Sequence, residues 1–293
     1  MTVAAGFREP QIRPFLASLA HHSPTASLQI YVHRHDREFE VAVQRWIANC
    51  AFHLLPPSRL RDFARKRRWA RSLLKRIVRF APGCGLGDKL PGIFNLRHIA
   101  FCDLLKTWEL GAQKILLVDS RDVVFQEDPF SSAWPPLWSG EEDKRIENCG
   151  LNSWWLKRAA DEAAWRQIKH HNIVCAGVIG GRADRVFQYL QRSSAKVRAL
   201  ARNHAFDECD QGIHNDLARR DRELDVTVLK NGNVLVANLG YTRPEDITLV
   251  DDQVRVFNRR EIPAILHQYD RHPELLKFIE LKWTQTMPKS PSA

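Results

Sequence analysis

The chain has 293 residues, of which 44% are hydrophobic and 27% are charged, and its formal net charge is +10. It contains no apolar run approaching the ~20 residues that a transmembrane helix needs, which excludes a membrane span. The positive charge predicts attraction to something anionic, such as nucleic acid, acidic lipid or a phosphorylated substrate, without choosing among them.

The length and the apolar content favour one α/β domain over the whole range 1–293. Residues 1–6 are typical of folded structure rather than of a cationic targeting leader. Six cysteines lack the spacing of zinc ligands, so we expect reduced, mostly buried thiols. These features predict a protein of the cytosol, or one bound at the inner face of a membrane.

The N-terminal region predicts a strand, a helix and a second strand, over residues 2–6, 11–22 and 28–33. Gly6, Phe7 and Arg8 follow the first strand. Considered alone, this is a βαβ core unit, which carries no particular function. Residues 39–55 continue as a predicted helix that Pro56 and Pro57 end.

Residues 59–80 contain many arginines and lysines among apolar residues and predict a basic amphipathic helix, part of an insertion around 59–88. Such a helix lies on an anionic membrane, binds a phosphorylated partner, or forms a solvated face over a core. Nucleic acid is the least favoured partner. The glycine-rich residues 82–87 follow no strand and precede no Lys-Ser/Thr pair, so they predict a hinge rather than a phosphate loop.

The most informative segment covers residues 114–130 and reads KILLVDSRDVVFQEDPF. Its apolar start predicts a strand buried on both faces, typical of a parallel sheet, and a helix over 96–110 leads into it. Asp119 and Asp122 then lie at the carboxyl end of this strand, where open α/β sheets bind ligands. A second apolar run follows directly, so both carboxylates are expected to be held rigidly rather than in a mobile turn.

Beyond this segment, residues 134–150 show no clear period and predict a surface excursion, and residues 152–170 predict a helix. Residues 173–181 predict a glycine-containing strand, in which Gly177 indicates close approach by a ligand or a neighbouring strand. After a helix over 184–201, Asp210 and Gln211 begin another, with His214 and Asn215 one turn further.

The last predicted strand, over 264–266, ends at His267, and residues 277–293 predict a helix followed by a loose tail. An isolated histidine at a strand end is commonly a structural one. His267 is followed by Tyr269 and Arg271, which keeps a role in binding open.

The segment around Asp119 resembles the metal-binding strand end of GT-A glycosyltransferases. In that family a DxD-type motif holds a divalent cation against the diphosphate of a nucleotide-sugar. This chain has DSRD instead, with two residues between the carboxylates. Either Asp122 binds the ion with Ser120 in the first motif position, or Asp119 also reaches the site.

The resemblance implies an α/β fold with a mostly parallel central sheet flanked by helices, and roles for several further residues. His267 occupies a position comparable to the C-terminal metal-binding histidine of family 8 transferases, and Asp210 and Gln211 match the Asp-Gln element near the sugar. The strand at 173–181 is similar to an N-A-G-V strand, with Cys175 replacing Asn. The implied donor-binding residues are Gly6, Phe7, Arg8, Arg97, Asp103, Asp119, Ser120, Arg121 and Gly177.

Two carboxylates and one imidazole suit Mn²⁺, or Mg²⁺ with more oxygen ligands, as the cofactor. The implied reaction transfers a hexose from a nucleoside diphosphate sugar, UDP-linked by preference, to a hydroxyl of a glycan, a lipid or a phosphorylated acceptor. Two alternatives stay open. One is a metal-dependent phosphohydrolase or nuclease, and the other is a noncatalytic basic module that binds nucleic acid or lipid.

Overall fold

The computed structural model describes residues 1–55, 67–80, 91–107, 113–204 and 207–286. The helices are α1 (Glu9–His22), α2 (Arg37–Gln44), α3 (Arg68–Phe80), α4 (Ile93–Thr107), α5 (Gly150–Ala159), α6 (Glu162–Ile168), α7 (Ala183–His204), α8 (Asp210–Arg220) and α9 (Pro273–Thr284). The strands are β1 (Thr2–Val3), β2 (Leu28–Val32), β3 (Cys50–Leu54), β4 (Lys114–Val118), β5 (Val123–Phe125), β6 (Leu137–Arg145), β7 (Asn172–Arg182), β8 (Thr227–Leu229), β9 (Val236–Asn238), β10 (Ile247–Val250), β11 (Gln253–Val256) and β12 (Ile265–His267).

The central layer is a mixed sheet in which β4 lies between strands of opposite direction. On one side, β1, β2 and β3 are parallel. The Met1 amine donates to the Leu116 carbonyl at 2.6 Å, and the Met1 carbonyl accepts from the Val118 amide at 3.0 Å, which places β1 parallel to β4. On the other side, β7 is antiparallel to β4 and to β6. The predicted α/β class is confirmed, with antiparallel pairing beyond β4.

A smaller sheet brings the end of β12 to the same place as the end of β4. β12 pairs antiparallel with β5 and parallel with β9, and His267 lies opposite Val123 and Asn238. Because β5 begins directly after Asp122, this pairing carries His267 to the loop between β4 and β5. The hairpin of β10 and β11 completes this part of the fold.

Helix α1 packs its apolar face between the two sheets. Ile12, Phe15 and Leu16 are fully buried, and they belong to one cluster with Val118 and Phe125. Burying each side chain of this size contributes roughly 1.5–3 kcal/mol to stability. The core therefore anchors the chain on both sides of the β4–β5 loop, at Val118 before the two aspartates and at Phe125 after them.

Residues 39–55 do not form the single helix that the sequence predicts. Helix α2 starts at its cap, Asp36, whose carboxylate accepts from the amides of Glu38 and Phe39, and it ends at Gln44. The chain then turns and forms β3, which pairs with the whole of β2. The gain from extending the sheet outweighs the local helical pattern, because each residue of β3 finds a backbone partner.

The prediction of a surface excursion at 134–150 is wrong, because this segment contains β6, the central neighbour of β7. One buried acidic residue of the strand is paired with cations: Glu141 contacts Arg219 at 3.3 Å and Lys230 at 2.9 Å. The predicted helix at 152–170 is two helices, since Asp161 caps α6 by accepting from the Ala164 amide at 2.6 Å.

The predicted basic helix is present as α3 in the described residues, while 56–66 and 81–90, including the glycine-rich 82–87, lie outside them. The end of the predicted helix at 96–110 and the tail at 287–293 also lie outside. Five cysteines, all but Cys84, are described as free thiols, four of them buried. Among the described helices, none is both long enough and apolar enough to cross a membrane.

Candidate functional site

The β4–β5 loop is held in place by backbone hydrogen bonds at Asp119 and Asp122 and by the side chain of Ser120. The Asp119 amide donates to the Gly177 carbonyl at 2.9 Å, and the Ser120 hydroxyl donates to the Val3 carbonyl at 2.9 Å. The Asp122 carbonyl accepts from the Gln268 amide at 2.8 Å. The Ser120 side chain therefore connects the loop to β1, and the hydrogen bonds hold the backbone of the two aspartates in a fixed conformation.

Asp119, Asp122 and His267 converge at the end of β4. One ligand atom from each lies within 4.8 Å of the others. The His267 Nε2 atom is 3.8 Å from Asp119 Oδ2 and 3.6 Å from Asp122 Oδ2, beyond hydrogen-bonding distance. Ligands bound about 2.2 Å from one ion at right angles lie about 3.1 Å apart, so small side-chain movements would let a divalent cation bridge all three.

Gly177 permits this convergence. A Cβ atom at this position of β7 would overlap the imidazole of His267 and crowd the carboxylate of Asp119. Glycine is therefore required by the close approach of the two side chains across the strand.

Arg97 binds Asp119 Oδ1, the carboxylate oxygen that does not face His267. From the first half of α4, its guanidinium donates to Asp119 Oδ1, to Asp210 Oδ2 at 2.8 Å and to the Ala176 carbonyl at 3.2 Å. Burial opposes the charge of Arg97, but Asp119 and Asp210 outweigh it, and the pKa of Arg97 is raised. Asp119 therefore gives one oxygen to Arg97 and turns the other toward His267.

Burial disfavours the ionised forms of two carboxylates in this site, Asp122 and Asp210. Burial raises the pKa of Asp122, and Asp119 and Asp270 add to the effect while His267 opposes it. Burial also raises the pKa of Asp210, with Arg97 opposing and Asp119 reinforcing the shift. A cation placed among these groups would favour their ionised forms.

The groups lie on the floor of a cavity of about 750 Å³. This volume is within the range of small-molecule sites, roughly 300–1,000 Å³. The cavity has a polar floor and an apolar rim. Phe7, Phe94, Leu151, Trp155 and Tyr241 contribute to the rim. A ligand with a charged part and an uncharged part fits such a lining.

Most of the residues predicted from the sequence line this cavity: Phe7, Arg97, Asp119, Ser120, Arg121, Asp122, Gly177, Asp210, Gln211 and His267. Gly6 and Arg8 are exposed and do not belong to the lining. The structure also places Asp103 elsewhere, on the surface beside Lys106 at 2.8 Å. Asp103 is six residues after Arg97, which turns it about 120° around α4 and away from the cavity.

The polar cluster at the start of α8 divides into two parts. Asp210 faces the cavity, whereas the Gln211 amide bonds to β7, accepting from the Ala176 amide at 3.0 Å and donating to the Val174 carbonyl. His214 lies in the interior between Tyr189 and Ser139, and burial lowers its pKa to about 3. Asn215 also bonds to β7.

Several residues of the site were missed in the sequence, among them Glu142, Tyr241 and Asn238. Glu142 and Tyr241 line the cavity, and Asn238 contacts His267 from behind. Glu142 lies in the segment predicted as an excursion. Asn238 is the last residue of β9 and Tyr241 follows that strand, which has three residues and is too short to give a pattern. Acidic Glu-Glu between apolar Leu-Trp and a basic pair was the available signal for Glu142.

No family model matches the chain, and no curated protein matches it significantly. Among solved structures, the chain is similar to the galactosyltransferase LgtC in complex with donor and acceptor sugar analogues, at 16% identity and a TM-score of 0.49, with 98% of this chain and 97% of that chain covered. An active-site mutant of LgtC gives 14% identity and a TM-score of 0.50 over the same shares. At such identities the likeness concerns the fold, and the chain has the GT-A fold.

Proposed function

We propose that the protein is a metal-dependent glycosyltransferase that moves a hexose from a nucleoside diphosphate sugar, UDP-linked by preference, to an acceptor hydroxyl. The observation that carries the proposal is the convergence of Asp119, Asp122 and His267 at the end of β4, inside a ligand-sized cavity. Its setting in the GT-A fold supports the same conclusion, since LgtC, of that fold, is a galactosyltransferase.

The donor set fits a divalent ion. Two carboxylates and an imidazole whose Nε2 faces both of them suit Mn²⁺, which accepts oxygen and nitrogen ligands together, and they also allow Mg²⁺. Such an ion would supply positive charge against the diphosphate that leaves when the sugar–phosphate bond breaks. Its ligands would be Asp119 Oδ2, Asp122 and His267 Nε2.

The remaining polar groups act on the sugar. Positive character develops at the anomeric carbon during transfer, and oxygen atoms at fixed positions stabilise it. Asp210, held by Arg97 at 2.8 Å, and the Ala176 carbonyl are the oxygens beside Arg97 that serve this role. Gln211 keeps β7 and the start of α8 in register, and the apolar rim limits access of water to the reacting sugar.

The acceptor is proposed to be a glycan, a lipid-linked sugar or a phosphorylated compound. Helix α3 is proposed to bind an anionic membrane surface, because Trp69 and Leu73 are 60% and 50% exposed in a helix rich in arginine. A cytoplasmic protein bound to the inner face of a membrane would follow. Flotation with vesicles containing anionic lipid tests this part, and recovery equal to that with neutral vesicles would contradict it.

The experiment for the main proposal measures hydrolysis and transfer for a panel of nucleoside diphosphate sugars, with Mn²⁺ and with a chelator. We expect turnover of one donor class that needs Mn²⁺ and is lost in Asp122→Ala, which should remain folded. Phosphate monoesters and DNA are assayed in parallel. Hydrolysis of these without nucleotide-sugar turnover would replace the proposal with a phosphohydrolase or nuclease, and inactivity on every substrate would favour a binding module.

A further inference from the structure

His267 Nδ1, the ring nitrogen that does not face the two aspartates, contacts a single amide side chain among the described residues. His267 Nδ1 is 2.9 Å from Asn238 Oδ1, and the two residues are direct partners in the parallel pairing of β12 with β9. Both are buried, at 2% and 0% exposure. A neutral imidazole carries one proton, so the contact at Nδ1 decides what Nε2 can do.

The orientation of the Asn238 amide follows from its other partner. Asn238 Nδ2 lies 3.2 Å from the Glu141 backbone carbonyl, which can only accept a hydrogen bond. The amide nitrogen must therefore face Glu141, and the amide oxygen must face His267. Because that oxygen also only accepts, the proton of His267 is required on Nδ1.

The Cys175 thiol is consistent with this arrangement. Its sulfur lies 3.5 Å from His267 Nδ1, and it also shares a hydrogen bond with the Glu142 carboxylate. When the thiol donates to Glu142, its lone pairs remain to face the proton on Nδ1. Both neighbours of Nδ1 are then acceptors.

Asn238 is itself fixed by its backbone. Its amide donates to Asn231 Oδ1 at 2.7 Å, and its carbonyl accepts from Asn231 Nδ2 at 2.9 Å and from the Thr242 hydroxyl at 3.2 Å. A Cβ at Gly140 would press on the Asn238 side-chain amide, so glycine leaves room for it. The residue has little freedom to turn away from His267.

We propose that Asn238 is a positioning residue that keeps the proton of His267 on Nδ1 and presents the Nε2 lone pair to Asp119 and Asp122. This inference rests on the proposed metal site and adds to it the group that makes the imidazole competent as a ligand. Hydrogen-bond partners behind a ligating histidine commonly fix its tautomer, and their loss costs roughly 10- to 100-fold in metal affinity.

The first test uses the unaltered, metal-free protein. Nitrogen-15 NMR of the imidazoles at mildly alkaline pH distinguishes the two neutral tautomers, with His267→Gln used to assign the signal. The proposal expects His267 to carry its proton on Nδ1. A proton on Nε2, or an equal mixture of tautomers, would overturn it without reference to any variant of Asn238.

The second test compares variants at position 238 by calorimetric titration with Mn²⁺. Asn238→Leu keeps the size but removes the acceptor, so it should mix the tautomers and weaken Mn²⁺ binding about 10- to 100-fold. Asn238→Asp keeps an acceptor for Nδ1 and should preserve both the tautomer and most of the affinity. Thr242→Val, which alters the support of the Asn238 carbonyl but not the imidazole, is the matched control.

Equal Mn²⁺ affinity in Asn238→Leu and the unaltered protein would contradict the role of Asn238. Equal losses in Asn238→Leu and Thr242→Val would contradict it as well, since they would reflect general disturbance. A protein that binds no Mn²⁺ at all would refute the proposed function, and the tautomer of His267 would still decide the inference on its own.

Discussion

The two sides of the cavity floor hold similar carboxylates in different electrostatic surroundings. On the Arg97 side, Asp210 and one oxygen of Asp119 are paired with a guanidinium whose side chain is 12% exposed. On the Asp122 side, the other oxygen of Asp119 and the carboxylate of Asp122 face His267 Nε2 at 3.6–3.8 Å. One side carries its own counter-charge, and the other faces an uncharged ring nitrogen when the imidazole is neutral.

This difference indicates where a cation belongs. Burying a carboxylate is costly unless it is paired. On the Arg97 side the protein supplies a cationic partner, which opposes, without cancelling, the rise that burial causes in the pKa of Asp210. On the Asp122 side the cost is lowered by the raised pKa of Asp122, or by binding a divalent ion. The following predictions test whether the two sides differ in this way, from the largest expected effect to the smallest.

Replacing Arg97 should have the largest effect on stability. Arg97→Met leaves Asp119 and Asp210 without their partner. Removal of one member of a fully buried ion pair costs about 3–5 kcal/mol, and because the Asp119 side chain is 31% exposed we expect a loss of at most about 3 kcal/mol. Urea denaturation measures the change. Arg121→Met is the control, since Arg121 is 64% exposed and 3.8 Å from Asp270, and it should change stability by about 0.5 kcal/mol or less.

If Arg97→Met and Arg121→Met prove equally mild, the Arg97 side does not depend on its ion pairs. The comparison between the two sides would then lose its first half.

Replacing Asp122 should act in the opposite direction on the metal-free protein. Burial raises the pKa of Asp122, so the folded state binds a proton more tightly than the unfolded state does. Stability therefore decreases as the pH rises from the ordinary carboxyl range toward neutrality. Asp122→Asn removes this charge and should raise the melting temperature at neutral pH by roughly 2–4 °C, the shift that about 1 kcal/mol gives in domains of 150–250 residues.

The same variant should lose the thermal stabilisation that Mn²⁺ gives to the unaltered protein. Melting curves at acidic and neutral pH, with and without Mn²⁺, provide all four values. A destabilised Asp122→Asn protein that still responds to Mn²⁺ would mean that Asp122 is a structural residue and that the ion, if bound, has other ligands.

Replacing Asp103 should have the smallest effect. The sequence nominates it as a donor-binding residue, but its carboxylate is exposed on α4 and pairs with Lys106 at 2.8 Å. Asp103→Ala should leave nucleotide-sugar affinity unchanged and stability within about 0.5 kcal/mol, because exposed ion pairs contribute little. A marked loss of donor affinity in a calorimetric titration would show that the cavity extends along α4 beyond Arg97.

The sequence predicts those parts of the fold that local pattern determines. The apolar run of β4 ends just before Asp119, that of β5 begins just after Asp122, and that of β12 ends at His267, so each strand lies where its pattern indicates. Strand β7, which contains Gly177, is also predicted, from the apolar residues over 173–181. In these places burial on both faces leaves a continuous apolar run, which is readable without knowledge of the partner strand.

The remaining parts depend on contacts between distant residues. β6 contains Glu141 and Glu142, and only the approach of Arg219 and Lys230 to Glu141 explains how such a strand is buried. Asn238 acquires its meaning from pairing with His267, 29 residues later. Residues 39–55 follow a helical pattern locally, yet β2 draws their second half into the sheet.

The most direct test of the account is a crystal structure grown with Mn²⁺ and a nucleoside diphosphate, with the ion located by anomalous scattering. The account predicts one peak about 2.0–2.3 Å from Asp119 Oδ2, Asp122 and His267 Nε2, with Arg97 still bound to the second oxygen of Asp119. An ion bound elsewhere, or His267 turned away from an ion held by the aspartates alone, would contradict it.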